Sequence, residues 1–524
     1  MCACERGWSE VRDRAVRATA ATVETARAAV RRTRRRWRAA TPQQRQTWRL
    51  TAGSAAVGLV VAIAAVTAAG PWDSGQRTAE RARAADREDG SGADHTSDKG
   101  PGMVAPAPSA HPVLPALGGE PKAGPGRERG AGVPPPPTLE GLADALEPLM
   151  EDAALGPVRT ASVVDAASGR QLLDVDSGRP VTPASTIKLA TAVAALSARG
   201  PEYRIETRVV RAGEGKVILV GGGDPTLSAE QLDKLARDTA RALKDGGGEG
   251  GAVEVSVGYD TSLYSGPARH SIGVNENLAL VTPLMVNEGR LDESRHGPAP
   301  RAVDPAPAAA RAFTQRLTKA GVKVTRTATR PATAPKGAEE LAAHRSAPLA
   351  ALAEQALTHS DNDIAEALAR QTALADGAPA SFEGADEAVR KRLAKLGLPV
   401  KGARFADGSG LSRDDRVPAS LLTSILAQAV GGEHPELRPV LSGLPVAGFT
   451  GTLKSRYPDA ERGAGLVRAK TGTLTGVNTL AGTVVDADGR QLVFAFMTTG
   501  TTDRQGAGAA LDKLASSLAN CGCR

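Results

Sequence analysis

The strand-like runs of this chain lie at its two ends. "RTASVVDAASGRQLLDVDSG", from Arg159, reads as two short strands about a Ser-Gly turn. Far along the chain, "VRAKTGTLTGVNTLAGTVVDADGRQLVFAFMTT" holds three more, separated by Gly-containing turns. A helical pattern flanks each set. In "TLEGLADALEPLMEDA", Leu139, Leu142, Leu146 and Leu149 recur at helical spacing behind Thr138 as a candidate N-cap, and "GAGAALDKLASSLAN" closes the other end. Helices around separated antiparallel strands predict one α+β domain, an antiparallel sheet flanked by helices and completed by both ends of the chain. The middle is then an insertion. The expected catalytic body covers 138–200 and 301–524.

Residues 201–300 differ in texture. "RIETRVV", "KVILVGGGDPTL", a helix near "AEQLDKLARDTARALKDGGG" and "AVEVSVGYD" predict an inserted, smaller α/β domain. "GGGDP" is Gly-rich but lacks the Lys-Ser/Thr of a phosphate-binding loop, so it reads as a turn. Aromatic residues make up 3% of the chain, so its cores must be built from Ala, Val and Leu.

The first fifty residues carry thirteen Arg against four acids, a local charge of +9 in a chain whose total is +7; the remainder is −2. A nearly neutral body argues against nucleic acid as a partner. "TAGSAAVGLVVAIAAVTAAG", 51–70, is twenty residues without a charge, long enough to cross a bilayer as a helix. The arginines before it keep 1–50 cytosolic and send the body outward, so 51–70 is expected to be a transmembrane anchor of a single-pass cell-membrane protein; a cleaved signal is the alternative. Residues 71–137, rich in Pro, Gly and Ala and ending in "PPPP", read as a disordered linker. Cys2, Cys4, Cys521 and Cys523 lie at the termini as two C-x-C pairs and are assigned no role.

One lysine sits where water should be scarce. In "VTPASTIKLATAVAALSARG", Thr182 is placed to cap a helix, Pro183 suits its first turn and Gly200 its stop, so Ser185 falls in the first turn. Lys188 is three residues on, on the same face, within reach of the Ser185 hydroxyl. Ile187, Leu189, Ala190 and Val193 would desolvate its amine and make the neutral, base-competent form accessible. That is a nucleophile with its base. "LTHSDNDIAEALAR" presents Ser360 and Asn362 ahead of a helix, and "RAKTGTLTGV" presents Lys470, Thr471, Gly472 and Thr473 on a strand. Singly, each has an ordinary reading: a lysine snorkelling from a helix edge, an N-cap, an edge strand guarded by a charge. In the order S-x-x-K, S-x-N, K-T-G they match the motif set of β-lactamases and penicillin-binding proteins.

From about Leu139 to Asn520 the chain resembles the class C low-molecular-mass penicillin-binding proteins, the D-alanyl-D-alanine carboxypeptidase/endopeptidase family. "GGGDPTL", "SVGYDTSLYSGP", "DGSGLSRDDRV" and the insertion between the first two motifs share in the resemblance. The Ser185-to-Ser360 interval is shorter than the family's larger members suggest, which leaves the number of inserts open.

The resemblance implies a serine DD-peptidase acting on peptidoglycan stem peptides ending in D-Ala-D-Ala through an acyl-enzyme, with no metal or organic cofactor, and β-lactams as covalent inhibitors. Ser185 would attack, Lys188 accept its proton, Ser360 relay a proton to the leaving amine and Asn362 fix the acyl side's amide. Lys470 would keep Lys188 neutral and draw in the terminal carboxylate, with Thr471 and Thr473 binding it. Gly472 would let substrate lie along the strand, and the Ser185 and Thr473 N–H groups would form the oxyanion hole. No E-x-x-L-N segment separates the second and third motifs, so a bound penicillin should leave slowly. Carboxypeptidase and endopeptidase action both fit. An anchored receptor, acylated by β-lactams or holding wall peptides without turnover, is the competing reading.

Overall fold

The computed structural model describes residues 135–245, 253–457 and 462–523. The basic segment, the 51–70 run and the linker as far as residue 134 lie outside the described residues. Among those described, no helix is long and apolar enough to cross a membrane.

Helix α1 (Leu139–Met150) begins where expected: the Thr138 hydroxyl accepts from the Gly141 amide at 3.1 Å. Its buried stripe is Leu142, Leu146 and Met150, spaced by four, while Leu139 stays 54% exposed. Strands β1 (Val158–Asp165) and β2 (Gln171–Val175) form the first hairpin. The chain then turns into α2 (Lys188–Arg199), which ends at Gly200 as expected.

The insert follows. Strands β3 (Glu206–Arg211), β4 (Lys216–Val220) and β5 (Glu254–Asp260), with helix α3 (Ala229–Asp245) between the last two, form the α/β unit expected there. The expected limit at residue 300 is too early. Helix α4 (Pro305–Lys319), β6 (Lys323–Thr327) and β7 (Glu340–Arg345) complete the same mixed sheet, in the order β6-β5-β4-β3-β7. The β5–β6 pair is parallel, which requires a crossover such as α4. Val209, Leu219 and Val257 on the sheet pack against Leu235 of α3 and Phe313 of α4.

Past the insert come α5 (Leu349–Thr358), α6 (Asn362–Ala375), α7 (Phe382–Lys395) and α8 (Ala419–Val430). Strands β8 (Arg468–Leu474), β9 (Val477–Val485) and β10 (Gln491–Thr499) and helix α9 (Arg504–Asn520) end the chain. The first sheet is antiparallel throughout, ordered β2-β1-β10-β9-β8. β1 pairs with β10 from Val158↔Thr499 to Asp165↔Leu492, so the two ends of the chain share it as the sequence predicts.

Alternation along β10 builds two cores. Leu492, Phe494 and Phe496 point to the side of α1 and α9; Val493, Ala495 and Met497 point to that of α2, α5 and α8. Each of those phenylalanines, fully buried, contributes about 2–3 kcal/mol. Cys521 and Cys523, given no role from sequence, are joined by a disulfide just past α9, and the Cys523 carbonyl accepts from the Thr138 amide at 2.9 Å. The start and end of the domain are thus tied together.

Candidate active site

Ser185, the expected nucleophile, does not sit in an α-helix. Ala184–Ile187 is a 3₁₀ turn, and α2 begins only at Lys188. Thr182 is no cap; its hydroxyl accepts from the Arg416 guanidinium at 3.2 Å. The 3₁₀ turn serves the motif better than an α-helix would, because side chains at i and i+3 eclipse in it. Lys188 Nζ lies 2.9 Å from Ser185 Oγ.

Lys188 is buried at 1% exposure and has three partners: Ser185 Oγ, Asn362 Oδ1 at 2.7 Å and the Ser409 carbonyl at 2.5 Å. An ammonium has three protons and fills all three contacts. A neutral amine has two N–H bonds and one lone pair. The Asn362 and Ser409 oxygens can only accept, so they take the two N–H bonds, and the lone pair is left to the one partner able to donate, the Ser185 hydroxyl. Geometry thus aims the lone pair of a neutral Lys188 at the Ser185 hydroxyl. Burial pushes the amine down to about 8, while the carboxylates of Asp407, Asp361, Glu366 and Asp415 pull it back up.

The second motif enters from the turn before α6. Asp361 is the N-cap, accepting from the Ile364 amide at 3.0 Å, and Asn362 is the first helical residue. Ser360 precedes them in the left-handed region at φ +57°, a conformation that costs a non-glycine residue energy and turns its side chain off the helix axis. Ser360 Oγ is 2.9 Å from Lys470 Nζ, which also donates to the Thr471 carbonyl at 2.8 Å. Lys470 lies on β8 yet is fully buried. Burial, and then the Lys188 charge, push it well below the usual lysine range. Both lysines are thus lowered by burial, and the Lys188 charge adds to the effect on Lys470.

Thr471 and Thr473 line one cleft with Ser185, Ser360, Asn362 and Asn277. Thr471 Oγ1 is bonded to Thr452 Oγ1 at 2.8 Å. Gly472 faces away from that cleft. A Cβ there would meet Thr479 Oγ1 at 2.1 Å, the Pro183 carbonyl at 2.7 Å and the Ser185 amide nitrogen at 3.1 Å. The residue's smallness thus lets β8 touch the nucleophile turn, rather than leaving room for substrate. The same approach sets the Ser185 amide nitrogen beside the strand that carries Thr473.

The motifs leave out what holds the Ser409 carbonyl. Asp407 accepts from the amides of Ser409 at 2.9 Å, Gly410 at 2.5 Å and Ser412 at 2.6 Å, with His270 Nε2 at 2.8 Å. Glu366 of α6 accepts from the amides of Gly408 at 3.1 Å and Ser409 at 3.0 Å. The signals were present. An Asp-Gly-Ser-Gly stretch is a turn whose acid can cap its own amides, and Asp363, Glu366 and Arg370 interrupt an otherwise apolar helix. Glu288, Asp361 and Asp363 form a second buried acidic group, in which Arg290 lies 2.7 Å from Glu288 and Arg301 3.1 Å from Asp363. The Arg290 and Arg301 guanidinium groups supply positive charge to this group.

The chain matches the family model described as D-Ala-D-Ala carboxypeptidase 3 (S13) over residues 142–292 and 293–520. It is 37% identical to a carboxypeptidase of Mycobacterium tuberculosis over 439 residues, 80% of this chain and 91% of that one. It is 38% identical to the carboxypeptidase DacB of Mycolicibacterium smegmatis over 410 residues, 74% and 86% of the two chains. Among solved structures, penicillin binding protein 4 (dacB) of Haemophilus influenzae superposes with a TM-score of 0.60 at 23% identity, covering 72% of this chain and 99% of that one, a likeness of fold. With three motifs meeting in one cleft and most of its length matched, the chain belongs to the D-Ala-D-Ala carboxypeptidase 3 (S13) family, the class C low-molecular-mass penicillin-binding proteins.

Proposed function

We propose that this serine DD-peptidase cleaves the terminal D-Ala-D-Ala bond of peptidoglycan stem peptides with Ser185 as nucleophile and Lys188 as its base. The observation that carries the assignment is the three-partner setting of the Lys188 amine, in which only Ser185 can offer it a proton.

As Ser185 Oγ bonds to the carbonyl carbon of the penultimate D-Ala, its proton passes to Lys188. The oxygen of that carbonyl becomes an anion met by the Ser185 and Thr473 N–H groups, each donor contributing about 3 kcal/mol. When the C–N bond breaks, Ser360 Oγ, held by Lys470, hands a proton to the departing nitrogen and is made good by the proton that Lys188 took from Ser185, which leaves Lys188 neutral again. Thr471 and Thr473 hold the terminal carboxylate, and Asn362, fixed by its bonds to Lys188 and to the Asn277 carbonyl, holds the acyl side. Water then attacks the Ser185 ester and releases the shortened peptide. The same steps on a cross-link give endopeptidase action. A β-lactam enters by the first half and stays, since no E-x-x-L-N segment supplies a base for its water. The 51–70 run fixes the enzyme to the cell membrane, with its catalytic body on the extracytoplasmic side.

Labelling the full-length chain with a fluorescent penicillin and mapping the adduct tests the nucleophile. The label is expected on the peptide holding Ser185; an adduct elsewhere overturns the assignment. Free D-Ala released from a D-Ala-D-Ala peptide is expected from the same preparation. Labelling without release makes the protein a receptor instead.

A further inference from the structure

Between β5 and α4 the insert sends residues 262–304 to the catalytic body, where His296 stacks on His359 and His270 meets Asp407. The His270 ring is buried, with Nε2 2.8 Å from Asp407 Oδ2. Its other nitrogen, Nδ1, accepts from the Ile272 amide at 3.2 Å. Nε2–H donates to Asp407; burial disfavours a charged ring, but the hydrogen bond to Asp407 and its charge outweigh burial and raise the imidazole above its ordinary value. The rest of its surroundings are Glu366 and Arg370 of α6 and the edge of Phe382 of α7, 5.3 Å between ring centroids.

Asp407 is the hub of the turn that aims the Ser409 carbonyl at Lys188. Both of its oxygens are saturated, Oδ1 by the Ser409 and Gly410 amides and Oδ2 by the Ser412 amide and His270. Three of these four donors belong to the turn itself. The fourth comes from the insert, and it is the one that fixes Asp407 against a separate part of the fold.

We propose that His270 is a positioning residue for Lys188: its Nε2–H holds the Asp407 carboxylate, and through it the 407–412 turn, so that the Ser409 carbonyl fixes the amine opposite Ser185. This rests on the reading of Lys188 as the base. It gives the insert a part in catalysis, because losing one donor from outside the catalytic body loosens the base's own acceptor. The donor also shields the negative charge that Asp407 presents to Lys188. Without it the Lys188 ammonium is better stabilised, and more alkali is needed to free the base.

The test is the rate of acylation by a penicillin, measured on the full-length chain from pH 5.5 to 9 for wild type, His270→Gln, His270→Asn and His270→Phe. Gln places an uncharged N–H as many bonds from Cβ as His Nε2; Asn falls short, and Phe keeps the shape without a donor. His270→Gln is expected within about threefold of wild type, and Asn and Phe roughly 10–100-fold slower, the scale set by small misplacements of catalytic groups. The acid limb of the Asn and Phe profiles should also move up, by roughly half to one pH unit, while that of Gln stays. A His270→Phe enzyme with the wild-type rate and limb overturns the proposal, as does a His270→Gln enzyme no better than Asn. Should His270→Phe not fold, the Gln and Asn pair carries the same comparison. A wild-type enzyme that penicillin does not acylate at Ser185 instead overturns the proposed function, which keeps the two failures apart.

Discussion

Replacing Gly472 by alanine should separate the strand from the nucleophile. The new methyl would stand 2.1 Å from Thr479 Oγ1, 2.7 Å from the Pro183 carbonyl oxygen and 3.1 Å from the Ser185 nitrogen. The first contact could be relieved by rotating Thr479, at the loss of its 2.8 Å bond to Pro183. The second could not, because that oxygen is backbone and is also held by the Thr186 hydroxyl at 2.7 Å. Strand and turn must therefore part by roughly half an ångström or more, and overpacking of this kind costs about 1–3 kcal/mol. Because the displaced atoms include Ser185 and its oxyanion N–H, acylation should fall about 100-fold, the scale of a 1 Å misplacement. Stopped-flow acylation by a fluorescent penicillin measures the rate, and urea titration measures stability. The double variant Gly472→Ala/Thr479→Ala discriminates further: it should regain part of the stability and little of the rate, since Pro183 still blocks. A Gly472→Ala enzyme with wild-type rate and stability refutes the reasoning, and full recovery of rate in the double variant places the fault in Thr479 alone.

Two further outcomes follow from the charges. Acylation requires neutral Lys188, whose amine burial pushes down to about 8, so the rate constant should rise about tenfold per pH unit below 8 and level off above it; a profile flat from pH 6 to 9 removes Lys188 as the base. In the β1–β2 turn, Arg490 holds Asp165 through Nε–Oδ1 and Nη2–Oδ2, both 2.6 Å. Burial raises the Asp165 carboxyl, but hydrogen bonds from Arg490 and Ser168 outweigh it and hold the group at about 2. A depressed folded-state value stabilises the fold above the unfolded value near 4 and is lost as pH falls through 2, worth about 2 kcal/mol. Arg490→Met should therefore destabilise the protein at pH 7 by about 3 kcal/mol and by much less near pH 2, as read from urea midpoints; an equal loss at both pH values contradicts the linkage.

What the sequence disclosed was whatever it wrote as local pattern. The shared sheet was legible because β1, β9 and β10 are buried on alternate faces by alternating residues, and α1 because Thr138 and a spacing of four announce it. The end of the insert was not. β6 and β7, the edges of its sheet, expose most of their side chains, so Lys323–Thr327 and Glu340–Arg345 carry no apolar alternation to mark them. The motifs singled out Ser185, Lys188 and Ser360, but not the 407–412 turn beside them. The 3₁₀ turn that carries Ser185 is met by β9, where the Thr479 hydroxyl donates to the Pro183 carbonyl, a contact between residues nearly three hundred apart that no local pattern expresses. His270 reads as an isolated histidine in a loop until folding brings it to Asp407.

Two lysines buried in one site raise the question of where the positive charge resides. Burial lowers Lys188 to about 8, and the negative charges of Asp407 and then Asp361 oppose it. Lys470 has no such carboxylate influence; its neighbours are a hydroxyl, a carbonyl and the other lysine. Carboxylates thus favour the charged form of Lys188, the proposed base, and nothing comparable offsets the burial of Lys470. The arrangement favours proton transfer from Ser185, because the proton goes to the amine the carboxylates prefer and not into an environment where a second ammonium opposes it. Acids far from the nucleophile in sequence, on α6 and in the 407–415 segment, therefore set the strength of the base. They do so without touching the substrate.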